Sequence, residues 1–144
     1  MPTVQDILAK KGTTVISVTP NDTVLRAAEL MSDRGIGGLV VMVGGRLAGI
    51  FTERDILRRV VSQRRDPATT EVADVMTAPV IACAPNTPVE ECAALMTSKR
   101  IRHLPVMGSN GLVGVITIGD VLAFRVSEQE ATIDYMQHFI FDLR

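Results

Sequence analysis

The spacing of apolar positions along this chain changes in a fixed order, and then the same order recurs. Thr13 to Val18 is a β-branched run leading into Thr19-Pro20-Asn21-Asp22, which predicts a strand followed by a turn suited to starting a helix. Val24, Ala27, Ala28, Leu30 and Met31 then fall at helical spacing, and Gly35 supplies a left-handed stop. Two short apolar runs, Leu39 to Val43 and Leu47 to Phe51, flank Gly44-Gly45-Arg46 and predict a hairpin with a glycine turn. Thr52 offers a cap for a helix over Glu53 to Val61. The second pass predicts a strand over Val80 to Cys83, a helix over Val89 to Lys99, a hairpin over His103 to Ile116 around Gly108-Ser109-Asn110-Gly111, and a helix over Ile118 to Val126.

The recurrence is visible in the letters themselves. A shift of 65 residues superimposes Pro20 to Leu57 on Pro85 to Leu122 without a gap, and 15 of the 38 positions are identical. Upstream, Val4 to Leu8 resembles Val72 to Met76 at a shift of 68, so the first unit carries three extra residues near Lys10 to Gly12. The expected division is 1–62 for unit one, 63–70 for a polar connector, 71–127 for unit two and 128–144 for a terminal helix. A unit of about 60 residues cannot bury both faces of a small sheet alone, so the two should pack sheet to sheet with pseudo-two-fold symmetry. The fold class expected is a mixed one, α/β in content and α+β in layout. In the terminal segment, Ser127 and Glu130 have the spacing of a capping box. Ile133, Met136, Phe139 and Ile140 form one apolar stripe, with Phe141 and Tyr135 close by, which predicts a separate amphipathic helix that covers the pair or dimerises.

Composition narrows the range of functions. With 47% hydrophobic residues in 144 there is enough apolar surface for a core. The 15 basic and 16 acidic residues nearly cancel, which argues against a protein that holds duplex phosphates by charge. Aromatic residues make up 3%, too few for a platform on which single-stranded bases stack. Cys83 and Cys92 have no histidine at ligand spacing and read as buried small hydrophobes in a reducing compartment. The longest apolar and glycine run, Ile36 to Gly45, is too short to span a bilayer, and the first residues lack the order of a secretory signal, so a cytoplasmic location is expected.

The chemistry-bearing element occurs twice, as Gly49-Ile50-Phe51-Thr52-Glu53-Arg54-Asp55 and Gly114-Val115-Ile116-Thr117-Ile118-Gly119-Asp120. Each copy sits where a strand gives way to a helix. Free amides at a helix start suit a phosphate, the threonine hydroxyl adds a donor, and a carboxylate one turn later accepts from the two hydroxyls of a ribose. The alternative is that both threonines are caps and both aspartates are first-turn acids that complement the helix dipole. His103 is read either as a phosphate donor or as a packed histidine, and His138 as solvated.

With these motifs, the Thr19-Pro20-Asn21 start and the Arg102-His103-Leu104-Pro105-Val106 segment, the chain resembles a pair of CBS domains, most closely the small stand-alone bacterial proteins of that type. The resemblance spans roughly residues 1 to 127. It implies a regulatory module for adenine nucleotides: AMP, ADP or ATP, and in one site NAD. It also implies that Thr52 with Asp55, and Thr117 with Asp120, hold ribose and phosphate. The backbone around Val15-Ile16 and Ile81-Ala82 would read the adenine edge, and Arg102 and His103, with Pro105 in the same segment, would face phosphate. Unit one has Gly37-Gly38 where unit two has Arg102-His103, and Arg54 where unit two has Gly119. The expectation is therefore two unequal sites. One is open over Gly37 and Gly38, with Arg54 as its cation and space for a dinucleotide; the other has two donors for a monophosphate.

No catalytic triad, metal cluster, Walker loop or activated cysteine is legible, and Gly35-Ile36-Gly37-Gly38 lacks the dinucleotide-fold spacing. The chain is accordingly expected to be neither an enzyme nor a metalloprotein and to require no cofactor. The resemblance implies a homodimer, and with no fused effector domain legible, regulation of an effector protein is expected in trans. Two alternatives stand beside this reading: a degenerate pair that serves only as an interaction module, and a nucleic-acid-binding regulator.

Overall fold

The computed structural model describes the backbone of residues 1–142 and the side chains of residues 1–138. Unit one supplies β1 (Ser17–Val18), α2 (Val24–Arg34), β2 (Gly38–Val43), β3 (Arg46–Thr52) and α3 (Glu53–Asp55), the last continuing as a π-helical turn over Ile56–Val61; α1 (Val4–Lys11) precedes it. Unit two supplies α4 (Val72–Val75), α5 (Val89–Lys99), β4 (His103–Gly108), β5 (Gly111–Thr117) and α6 (Ile118–Asp142). The mixed α+β class expected from the sequence is the one observed. Thr23 caps α2 by accepting the Arg26 amide at 3.1 Å, and Gly35 ends it in the left-handed conformation, φ 63°. Gly44 and Gly45, at φ 55° and 80°, make the two-residue turn between β2 and β3 that both of its positive φ angles require.

Both hairpins carry the same irregularity, a register shift at Val41/Met42 and again at Val106/Met107. The strands that flank them are shorter than the β-branched runs predict. Only Ser17 and Val18 of the Thr13 to Val18 run pair with β2, in parallel. Of Val80 to Cys83 only Cys83 pairs with β4, through Cys83 N–H to Pro105 O at 2.9 Å and Met107 N–H to Cys83 O at 2.8 Å. The next parallel bond toward Ile81 needs an N–H at position 105, and proline has none. Unit one has Val40 at the corresponding place, and there β1 pairs over two residues.

The largest departure from expectation lies at the C-terminal end. Ile118 to Asp142 is one helix of 25 residues, so Ser127 lies in its interior and caps nothing; its hydroxyl instead accepts from Lys10 Nζ at 3.1 Å. Residues 128–138 are exposed, with Ile133 and Met136 more than half accessible, so this stretch covers no face of the pair. The side chains of Phe139, Ile140 and Phe141, which complete the predicted stripe, lie outside the described residues.

Burial divides into two cores that cross over between the units. Val4, Ile7 and Leu8 of α1 pack with Cys92 and Met96 of α5, Leu104, Ile116 and Phe124, all from unit two. Val72 and Val75 of α4 pack with Met31, Leu39, Phe51 and Val60, all from unit one. Backbone bonds match on the two sides. Gln5 N–H reaches Pro85 O at 2.9 Å, and Ala73 N–H reaches Pro20 O at 3.0 Å. Each leading helix is thus the lid of the other unit, and a fully buried side chain such as Phe51 contributes about 2–3 kcal/mol to the core it sits in. The motif glycines allow that arrangement. A Cβ on Gly49 would lie 2.6 Å from Met76 Sδ and 3.1 Å from Thr77 O, and one on Gly114 would lie 2.9 Å from Leu8 Cδ2.

Candidate functional site

Where the sheets of the two units meet, β3 against β5, there are two cavities, and His103 lines both. One, of about 490 Å³, contains Thr117 and Asp120 together with Val15, Ile16, Gly37, Gly38 and Lys11. The other, of about 720 Å³, contains Thr52, Asp55 and Arg54 together with Arg102, Lys99 and Arg100. Each cavity therefore takes its threonine and aspartate from one unit and the facing wall from the other. The grouping by unit expected from the sequence is not the spatial grouping: Arg54 shares its cavity with Arg102 and His103, and Gly38 faces Thr117 and Asp120.

Gly37 and Gly38 approach two side chains closely. The His103 ring lies 3.0 Å from where a Gly38 Cβ would stand, and Glu53 Oε1 lies 2.9 Å from where a Gly37 Cβ would stand. Side chains at these two positions would crowd His103 and Glu53, and both glycines still line the smaller cavity. Ile81 and Ala82 are exposed and line neither cavity, whereas Val15 and Ile16 line the smaller one; Pro105 is buried in β4 and serves the ladder through its carbonyl.

Both carboxylates are already engaged. Asp55 is 6% exposed; its Oδ2 accepts from Thr52 N–H at 3.0 Å, its Oδ1 accepts from the Thr77 hydroxyl at 3.0 Å, and Arg59 Nε stands 3.7 Å from Oδ1. Asp120 is more open. Its Oδ2 accepts from Thr117 N–H at 2.8 Å, its own N–H donates to Thr117 Oγ1 at 3.1 Å, and Lys11 Nζ donates to both Asp120 Oδ2 and Val115 O at 2.5 Å. The threonine and aspartate thus cap the helix start as a pair, and the first helix amides are spent as well, Glu53 N–H on Gly37 O at 3.0 Å and Ile118 N–H on Arg102 O at 2.9 Å. Lys11 and Thr77 are partners that motif reading missed. The signal for Lys11 was the three-residue excess at Lys10 to Gly12.

Charge separates the cavities. The smaller one holds Lys11 against Asp120 and is otherwise mostly apolar. The larger is lined by Arg54, Arg58, Arg59, Lys99, Arg100 and Arg102, opposed by only Glu53 and Asp55. Between them, burial holds the His103 imidazolium below its ordinary pKa of 6.5; Lys11 and Arg102 push the same way, while Glu53 and Asp120 oppose them. Away from the cavities, burial and then neighbouring Cys92 push the Cys83 thiol up to about 12, so it is protonated at neutral pH and a poor nucleophile. Among the described residues there is no group of three or more metal-ligating side chains, and no helix is long and apolar enough to cross a membrane.

The CBS domain family matches residues 4–62 and 72–127, so the chain belongs to the CBS-domain proteins and carries the domain twice. It is 36% identical over 131 residues to the CBS domain-containing protein YhcV of Bacillus subtilis, covering 91% of each chain. A putative signal-transduction protein with CBS domains from Burkholderia ambifaria has a structure that superimposes with a TM-score of 0.85 at 44% identity, covering 89% of this chain and 96% of that one. The CBS domain pair of protein MJ0100, solved in complex with 5'-methylthioadenosine and S-adenosyl-L-methionine, superimposes with a TM-score of 0.78 at 25% identity, over 89% of this chain and 98% of that one.

Proposed function

We propose that this protein is a non-catalytic sensor that binds adenine nucleotides (AMP, ADP or ATP) at the interface of its two units and passes the bound state to a partner protein in trans. The observation that carries the reading is the duplicated threonine and aspartate pair, each at a helix start and each facing a cavity walled by the other unit. A ligand in such a cleft touches both units, so its binding energy acts on their relative disposition. The adenosyl ligands of the MJ0100 domain pair support the nucleoside part. The chemistry of this chain supports the phosphate part through Lys11 and the arginines that line the cavities.

A homodimer is part of the proposal. Leu57 and Val61 in unit one, and Leu122 and Val126 at the positions 65 residues later, are each at least half exposed. Two matched apolar faces related by the internal pseudo-two-fold suit a second copy of the chain, which buries the same patch from both sides.

Thermal unfolding with and without nucleotide tests the function. A ligand at about 100 times its dissociation constant adds about 2.7 kcal/mol and raises the midpoint by several degrees. A second reading, an interaction module that takes no ligand, draws on the engagement of Asp55 and Asp120 by Thr77 and Lys11. An unmoved midpoint with AMP, ADP and ATP alike decides for it.

A further inference from the structure

We propose that the larger cavity is built for a multiply charged phosphate chain and that Arg100 is the residue that selects for it. The inference deepens the adenine-nucleotide reading, on which it rests for the base, while the chain is argued from the cavity alone. Six cationic side chains face two carboxylates there, a net of four positive charges in a concave site. Arg58, Lys99, Arg100 and Arg102 are exposed, and among the described residues their side chains make no hydrogen bond or ion pair. Like charges gathered on one concave wall repel, and a polyanion relieves that repulsion while accepting paired guanidinium bonds. The smaller cavity, with Lys11 already balanced by Asp120, offers no such surplus and suits a nucleoside or a monophosphate.

Arg100 is singled out by its backbone. Helices α2 and α5 end with the same left-handed residue and the same return bonds, Ile36 N–H to Met31 O and Ile101 N–H to Met96 O, both 3.0 Å. Unit one places Gly35 there at φ 63°; unit two places Arg100 at φ 55°. Glycine is the residue that position favours, and an arginine is held there against its conformational preference. Its side chain lines the cationic cavity, and its carbonyl accepts from Arg54 Nη1 at 2.6 Å, which draws a second guanidinium to the same wall. Local strain retained beside a cavity points to a use for the side chain.

The test is calorimetric titration of the full chain at matched ionic strength with ATP, AMP and inorganic tripolyphosphate. The proteins are wild type, Arg100→Gly and the double variant Arg58→Gln/Lys99→Gln. Arg100→Gly is expected to melt at a higher temperature, because glycine accepts the left-handed turn, and yet to bind ATP about five- to tenfold more weakly with AMP changed less than about twofold. A side chain with a purely structural role does not raise the melting temperature and lower affinity together. The double variant is expected to lose ATP affinity likewise, and tripolyphosphate to displace ATP from wild type. Unchanged ATP binding in both variants, or failure of tripolyphosphate to displace bound ATP, overturns the inference and leaves the adenine-nucleotide reading standing. Binding of tripolyphosphate with no adenylate bound keeps the polyanion cavity and removes the adenine reading. If nothing binds, both fall.

Discussion

Lys11, in the last turn of α1, closes an ion pair with Asp120, 109 residues further along the chain. Its counterpart in the other cavity is the Thr77 hydroxyl on Asp55, donated from just beyond α4. The carboxylate of each unit is thus held by the end of the leading helix that serves the same unit as a lid. The Asp120 carboxylate is held by a lysine, and the Asp55 carboxylate by a neutral hydroxyl with Arg59 at 3.7 Å, so the two clefts differ in what an arriving ligand must displace.

Replacing Lys11 separates holding from recognition. Lys11→Gln removes a pair whose side chains are 31% and 23% exposed, so unfolding free energy should change by no more than about 1 kcal/mol. Adenosine, which must displace the ammonium to reach Asp120, should bind more tightly. AMP loses a phosphate partner at the same time, so the AMP-to-adenosine affinity ratio should fall about fivefold. A ratio that stays constant in calorimetric titrations of both ligands removes Lys11 from recognition.

The two aspartates should differ in structural weight. Asp55 is buried and satisfies Thr52, Thr77 and Arg59, so Asp55→Ala should cost about 3 kcal/mol in urea unfolding. The more open Asp120 should cost about 1 kcal/mol on the same substitution. Equal losses, or a larger loss at Asp120, contradict the assignment of Asp55 as the more structural of the two.

Gly49 is the point where β3 and the end of α4 touch. A methyl group there meets Met76 Sδ and the Thr77 carbonyl, and the carbonyl is backbone that cannot swing aside. Gly49→Ala should therefore destabilise the protein by about 1–3 kcal/mol, while Gly45→Ala in the exposed turn tests strain without any close neighbour. Comparing hydrogen exchange at Thr77 N–H, which donates to Ile50 O at 2.8 Å, locates the damage. Unaltered protection there in Gly49→Ala means the close approach is unimportant.

His103 sets the acid response. Its folded pKa lies below the ordinary 6.5, so the unfolded chain binds the proton first, and stability falls as pH drops through 6.5 toward the lower folded value. His103→Gln cannot take up that proton, so between pH 7.5 and 5.5 its melting temperature should decline less than that of wild type. Parallel declines show that the ring carries no such penalty.

Much of the fold was legible because duplication shows the same local rules twice. Gly35 and Lys99 mark helix ends that the structure keeps, and the bulged hairpins lie where the apolar runs place them. Pairing length was not legible in the same way: Val80 to Ala82 have the right composition for a strand, and Pro105, a partner more than twenty residues away, lacks the N–H for the next bond of the ladder. The continuous helix through Ser127 escaped because a capping sequence inside a helix reads like a start when its neighbours are unknown. At the candidate site, Thr52, Asp55, Thr117 and Asp120 stand at the two helix starts where their spacing put them. Their true neighbours Lys11, Thr77 and Arg100 were not, since the repeat aligns each unit with itself and hides the exchange between them.

That exchange of lids has a consequence for biosynthesis. As the chain leaves the ribosome, the first repeat has its hairpin and helices but must wait for residues 72–75 before its apolar interior is closed, and α1 stays unpartnered until the second repeat emerges. Splitting the coding sequence between the repeats therefore yields two halves that each expose a hydrophobic face. They should regain a native form only when made together, so that each half supplies the other's missing helix.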